Sequence, residues 1–140
     1  MKTVLFYLFF FLACSMYAQN NKHIGTWKGV DKGETVLLTF QKDGFLIIEA
    51  TGVTYGGESF EMDGQKMSVS YTIDYSSEAP GFIVLLKNLD SGKVLSKMLG
   101  TITFSDKTAT AATVCMKRVR AEETKPEFVK DDCLAFTKTK

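Results

Sequence analysis

After residue 23, apolar residues alternate with polar ones in short runs that are separated by turn residues. The clearest run covers residues 67–75, where Met67, Val69, Tyr71, Ile73 and Tyr75 alternate with Ser, Thr and Asp. A period of two places these five side chains on one buried face of a β-strand and the polar residues in solvent. The pattern therefore predicts strands, and no long helix follows the N-terminal segment.

Similar runs predict eight further strands at 24–29, 34–41, 45–51, 59–62, 82–86, 94–104, 108–119 and 132–138, with a loop at 52–57. Turn sequences such as Lys42-Asp43-Gly44 join several of them as hairpins. Such a meander must hide its unpaired edges, and closure into a barrel does so. We therefore predict an all-β fold, a single antiparallel up-and-down barrel of about eight to nine strands. A sandwich would need a longer crossover than any segment here provides.

The N-terminus has the pattern of an export signal. Lys2 precedes an apolar run at 4–13, and small residues lead to Ala18. The run is shorter than the roughly 20 residues that span a bilayer. We predict a signal peptide at 1–18 and a barrel domain at 19–140 that works in the periplasm or outside the cell. Alternatively, residues 11–14 resemble a lipobox, and Cys14 would then anchor a lipoprotein to the membrane.

The charge balance argues against polyanionic partners. The full chain has a formal net charge of +1, and removal of residues 1–18 takes away Lys2 and no acidic residue. The remaining chain is neutral, so no overall field favours nucleic acid. We expect no nucleic-acid partner and a monomeric protein.

Two cysteines, Cys115 and Cys133, remain after cleavage of the signal. An even number in an exported chain permits a disulfide. If the strands at 108–119 and 132–138 pair antiparallel around residue 124, the two cysteines lie opposite each other within bonding range. The alternative is a pair of small buried apolar side chains.

Residues for catalysis or cofactor binding do not form a recognisable pattern. The one histidine, His23, lies beside the predicted mature N-terminus, where we expect fraying, and it forms no zinc-type cluster with the cysteines. No pair of carboxylates stands out, and Gly56-Gly57 lacks the lysine and helix of a phosphate-binding loop. We predict that the protein is not an enzyme and binds no metal or cofactor.

Short motifs give the chain a family resemblance. Gly25-Thr26-Trp27 in the first predicted strand resembles the Gly-x-Trp motif of lipocalins, in which the Trp plugs the closed end of the barrel. The following segments recur in an order similar to small exported bacterial lipocalin-like (calycin) proteins of unknown function: 38–45, 71–74 with Pro80, 99–102, 111–115 and 125–128. The resemblance implies a barrel of this type across most of residues 24–138. Lipocalins often place an Arg near the C-terminus to stack on the Trp, and here only Lys138 is offered.

We predict that the protein binds a small hydrophobic molecule or lipid inside its barrel. We expect Trp27, Phe40, Tyr71, Met98 and Phe104 near this ligand, with room left by the small residues Gly100 and Ala112. The alternative is an extracytoplasmic interaction or inhibitor module with a filled barrel, in which a surface loop such as 52–57 makes the contacts.

Overall fold

The structure is a computed structural model that describes residues 21–139 of the chain. This part of the chain forms nine strands and one short 3-10 turn at Lys130–Asp132. The strands are β1 Gly25–Asp31, β2 Glu34–Phe40, β3 Leu46–Ala50, β4 Val53–Met62, β5 Gln65–Asp74, β6 Gly81–Asn88, β7 Val94–Phe104, β8 Ala111–Val119 and β9 Cys133–Lys138. Each strand pairs antiparallel with the next, and β9 returns to β1, so the sheet closes. The predicted all-β up-and-down barrel is confirmed. The predicted signal peptide and Cys14 lie outside the described residues.

Strand β4 makes closure of this barrel geometrically consistent. Strand direction alternates around an antiparallel ring, so the ring needs an even number of strand segments. Residues 53–56 of β4 pair with β3, residues 57–62 pair with β5, and the register shifts between the two parts. At this corner β3 and β5 approach each other directly through a bridge between Phe45 and Ser70. Because this bridge is antiparallel, an even ring of eight strands closes at the corner, and β4 bends at a bulge to pair first with β3 and then with β5, as is common where barrels turn a corner.

The prediction of a loop at 52–57 is wrong, because β4 begins at Val53. Gly56 and Gly57 have positive φ angles of 117° and 86°. A Cβ atom on Gly56 would overlap the backbone carbonyl of Leu46, so only glycine allows this close approach of β4 to β3. The glycines that suggested a loop form the corner of the sheet.

The inward face of the barrel follows the alternation that the sequence predicts. Met67, Val69 and Tyr71 of β5 are all buried, as predicted, but the prediction that the polar residues of this run lie in solvent is wrong for Ser68, which is 5% exposed. The space expected beside Gly100 is filled, however, because the Phe82 ring lies over this glycine and a Cβ atom there would overlap it. Ala112 is likewise buried in the core cluster. Aromatic cover of a glycine on a neighbouring strand is a known way to fill such a gap.

The connection from β8 to β9 is fastened to the barrel at several points. Cys115 and Cys133 stand opposite each other in the β8–β9 register, as expected, and their sulfurs are bonded with a Cα–Cα distance of 4.0 Å. Lys97 Nζ donates hydrogen bonds of 3.0 and 2.8 Å to the carbonyls of Ala121 and Glu123. These bonds hold the connection, at residues 120–132, against β7 and β8.

The disulfide makes a direct prediction for the chain that lacks residues 1–18. Unfolding this protein without reductant should expose no free thiol, and unfolding with reductant should expose two. Thiol titration with a chromogenic disulfide reagent provides the measurement. A Cys133→Ser variant is the control, because it should expose one thiol under either condition. Two thiols in the unreduced wild-type chain would contradict the bridge.

Candidate functional site

Buried aromatic side chains seal the barrel end that contains Trp27, which we call the closed end. Trp27 is 0% exposed, and its indole Nε1 donates a 2.8 Å hydrogen bond to the His23 carbonyl. Lys138 Nζ lies 5.5 Å from the centroid of the Trp27 ring, within the range of an attractive cation–π contact. Trp27 thereby holds both the segment before β1 and the end of β9.

His23 occupies the centre of a hydrogen-bonded chain at the closed end. The Tyr71 hydroxyl donates to the Gln41 carbonyl at 2.7 Å, so its oxygen accepts from His23 Nε2 at 3.1 Å. The Tyr75 oxygen accepts from the His23 backbone N–H at 3.2 Å, and its hydroxyl lies 2.7 Å from His23 Nδ1. Each hydroxyl has one hydrogen to donate, so the chain is complete when Nε2 carries the proton and Nδ1 accepts from Tyr75. This arrangement assigns His23 as the neutral Nε2–H tautomer.

The surroundings of these groups favour their neutral forms. Burial, reinforced by the positive charge of Lys138, lowers the pKa of His23 from 6.5 to about 4. Burial raises the pKa of Tyr71 to about 12 and also raises the pKa of Tyr75. The expectation that His23 frays is wrong: it is 4% exposed, because its ring is enclosed by Phe40 and the two tyrosines. A neutral, buried imidazole whose nitrogens are both paired fits a structural role in closing the barrel.

The opposite end of the barrel, which we call the open end, contains a cavity of about 290 Å³ that opens to solvent. Residues from β2, β3, β4, β8 and β9 form its walls. These wall residues are Val36, Leu38, Ile48, Ala50, Tyr55, Val114, Met116, Leu134 and Phe136. They are the inward positions of their strands, so the cavity is part of the barrel interior.

Three carboxylates stand at the rim of this cavity: Asp31 at the end of β1, and Asp131 and Asp132 in the 3-10 turn before β9. Asp132 accepts a 2.9 Å hydrogen bond from the Val129 backbone N–H and so caps its own turn. Within residues 21–139, the side-chain carboxylates of Asp31 and Asp131 have no hydrogen-bond or ion-pair partner. The lining contains no lysine or arginine. The mouth of the cavity therefore combines an apolar interior with a negatively charged edge.

The structure separates the five predicted ligand-binding residues from the open-end cavity. Trp27, Phe40 and Tyr71 belong to the buried core cluster, and Phe40 stacks edge-to-face on Tyr71 at 5.0 Å. Met98 and Phe104 pack against that cluster and are partly buried. None of the five lines the cavity of about 290 Å³. Their part in ligand binding stays a prediction.

The wall of the open-end cavity was missed because its residues come from five different strands. The alternation of Leu46, Ile48 and Ala50 shows in the sequence which face of β3 points inward. At the end of this face the side chains become smaller, where Ala50 lies opposite Val36. Only the pairing of β2 with β3 brings these two residues together. The signal was therefore small inward residues on adjacent strands, which are recognisable only once the register is known.

Two features are absent from the described residues: a cluster of metal ligands and a membrane-spanning helix. Across residues 21–139, no three His, Cys, Asp or Glu side chains converge in a way that would hold a metal ion, so the rim carboxylates do not form such a group. The same residues include no helix long and apolar enough to cross a membrane.

Comparison with known proteins gives a similarity of fold. No family model matches this chain, and no curated protein sequence matches it. Among solved structures, the crystal structure of Treponema pallidum Tp0751 (pallilysin) is similar, with a TM-score of 0.53 and 14% sequence identity. The match covers 86% of this chain and 81% of that chain. At this identity the likeness concerns the barrel alone.

Proposed function

We propose that this protein binds one small apolar molecule in the open-end cavity of its barrel. The observation that carries the proposal is the cavity of about 290 Å³ walled by inward-facing apolar side chains. This volume is about twice that of an engineered cavity of roughly 150 Å³ that takes up benzene. It lies at the lower end of the range of about 300–1,000 Å³ typical of small-molecule sites. A guest with about two rings, or a medium-length alkyl chain, matches this size.

The closed end supports a second part of the proposal, that the protein is an exported lipocalin-like barrel. Trp27 lies in the first strand and is fully buried at one end of an up-and-down barrel. Lys138 lies over its ring, in the place where the resemblance implies an Arg. A sealed end and an open end together give a container with one entrance. The export signal at 1–18 stays a prediction.

Calorimetric titration with octanol and with two-ring aromatic compounds tests the proposal. We expect saturable one-to-one binding at micromolar concentrations, with a negative heat-capacity change because apolar surface is buried. An Ala50→Phe variant should lose this binding at least tenfold, since its ring would project into the cavity. Ala135→Phe is the matched control: it makes the same change on an exposed position of β9 and should bind like the wild type.

The contrary result would favour the alternative function. If no compound of such a panel binds, and Ala50→Phe leaves the protein folded by circular dichroism, the cavity is not a ligand site. An extracytoplasmic interaction module would then be the better proposal, with exposed apolar residues such as Val53 and Val129 as the first positions to examine.

A further inference from the structure

The rim of the open-end cavity differs in character from its interior, and this difference bears on the chemistry of the guest. Asp31 and Asp131 are exposed and unpaired within the described residues, and both line the mouth of the cavity. A guest whose apolar part fills the interior must leave its polar end at this rim, because the walls contain no buried polar group that would receive it. The charge of the rim therefore acts on the head of the guest.

We propose that the open-end cavity selects an apolar guest with a positively charged head, such as a primary amine or a quaternary ammonium group. The inference rests on the proposed function and specifies its ligand class. Asp31, Asp131 and Asp132 bring three carboxylates to the mouth, and no basic side chain belongs to the lining. The neighbouring Lys32 and Lys130 form no ion pair with them in the described part of the chain. An ammonium head therefore gains Coulomb attraction at the rim, and a carboxylate head meets repulsion.

The aromatic ring of Tyr55 adds to the same preference. Tyr55 lines the cavity and is 37% exposed, so it lies between the apolar wall and the solvent. An aromatic face attracts a cation through its quadrupole and offers no such attraction to an anion. A metal ion is a poor alternative occupant, because within residues 21–139 no three acidic side chains converge as ligands. The rim carboxylates would therefore attract a cationic head group by charge without coordinating it as metal ligands.

The experiment compares three probes that share one chain and differ in the head: octylammonium, octanol and octanoate. We expect octylammonium to bind the wild-type protein about tenfold more tightly than octanoate at low ionic strength, with octanol between them, because each exposed charge contact contributes modestly. Raising the salt concentration to about 1 M should shrink this difference, because salt screens exposed charges.

The variants test whether the rim carboxylates cause the preference. Asp31→Asn combined with Asp131→Asn should bring octylammonium and octanoate within about twofold of each other, and the double variant should stay folded because neither carboxylate makes a structural hydrogen bond. Asp132 is left intact because it caps the turn. The control is Asp63→Asn, which removes one negative charge from the β4–β5 turn, outside the cavity lining, and should keep the tenfold preference.

The outcomes separate the two proposals. Failure of all three probes to bind overturns the proposed function itself. Binding of octanol, with octanoate as tight as octylammonium or tighter, overturns only the charge preference. A preference that survives in the double variant also overturns it, because the selectivity would then arise elsewhere than at Asp31 and Asp131.

Discussion

Replacing Trp27 by alanine is expected to lower the free energy of unfolding by about 3–5 kcal/mol, the range for deleting a large buried aromatic side chain. The indole is 0% exposed and belongs to the core cluster. Its loss would also leave the His23 carbonyl without its 2.8 Å hydrogen bond and remove the ring beneath Lys138. Chemical denaturation followed by circular dichroism measures the change, since the variant has no tryptophan to report by fluorescence.

Two further substitutions show whether the loss comes from the indole. Trp27→Phe keeps a buried ring but removes the Nε1 donor, so a loss of about 1–2 kcal/mol is expected, from one hydrogen bond and part of the packing. Val30→Ala lies on the same strand at a position that is 56% exposed, and its effect should stay within about 0.5 kcal/mol. A wild-type denaturation midpoint in Trp27→Ala would show that Trp27 does not hold the closed end together.

The fold was more predictable than the site because the two depend on different information. Alternation in a single strand is local, and the run at 67–75 alone identifies its buried face. Closure of a meander follows from the need to hide its edges, so the barrel needed no knowledge of individual contacts. An even number of cysteines permitted the bond between Cys115 and Cys133, but the connection at residues 120–132 is too long to fix the register of β8 and β9, so the sequence also allowed two unpaired cysteines.

The errors arose where one residue type serves two structural purposes. Glycines at 56 and 57 suggested a loop, but here they allow β3 and β4 to approach each other at the corner. Gly100 suggested empty space, which Phe82 of the neighbouring strand fills. His23 was judged from its position in the sequence, whereas its burial comes from tyrosines 48 and 52 residues away. Each of these three features depends on a contact with a residue on another part of the chain. Alternation within one strand does not identify that residue.

The single histidine of the chain gives the protein a stability that depends on pH in a defined window. The fold holds His23 neutral, with Tyr75 donating to Nδ1, and its pKa falls from 6.5 to about 4. Between these two values the unfolded chain binds a proton that the folded chain does not bind, so the free energy of unfolding rises with pH. The contribution is fully present above pH 6.5 and is lost as the pH falls towards 4. One unit of pKa corresponds to 1.36 kcal/mol, so the loss should reach about 3 kcal/mol.

Denaturation midpoints measured from pH 7 to pH 4 test this dependence, and NMR titration of the His23 ring gives its pKa directly. His23→Gln should lose the component of the slope between pH 6.5 and 4, because no other side chain of residues 21–139 has an ordinary pKa near 6. Tyr75→Phe removes the donor to Nδ1, which favours the neutral ring, so the pKa of His23 should rise towards 6.5 and the loss should shrink. At high pH the raised pKa of Tyr71, about 12, predicts a second loss that begins above pH 10, since the fold also favours its neutral phenol. A His23 ring that titrates near 6.5 in the folded wild-type protein would contradict the hydrogen-bonded chain at the closed end.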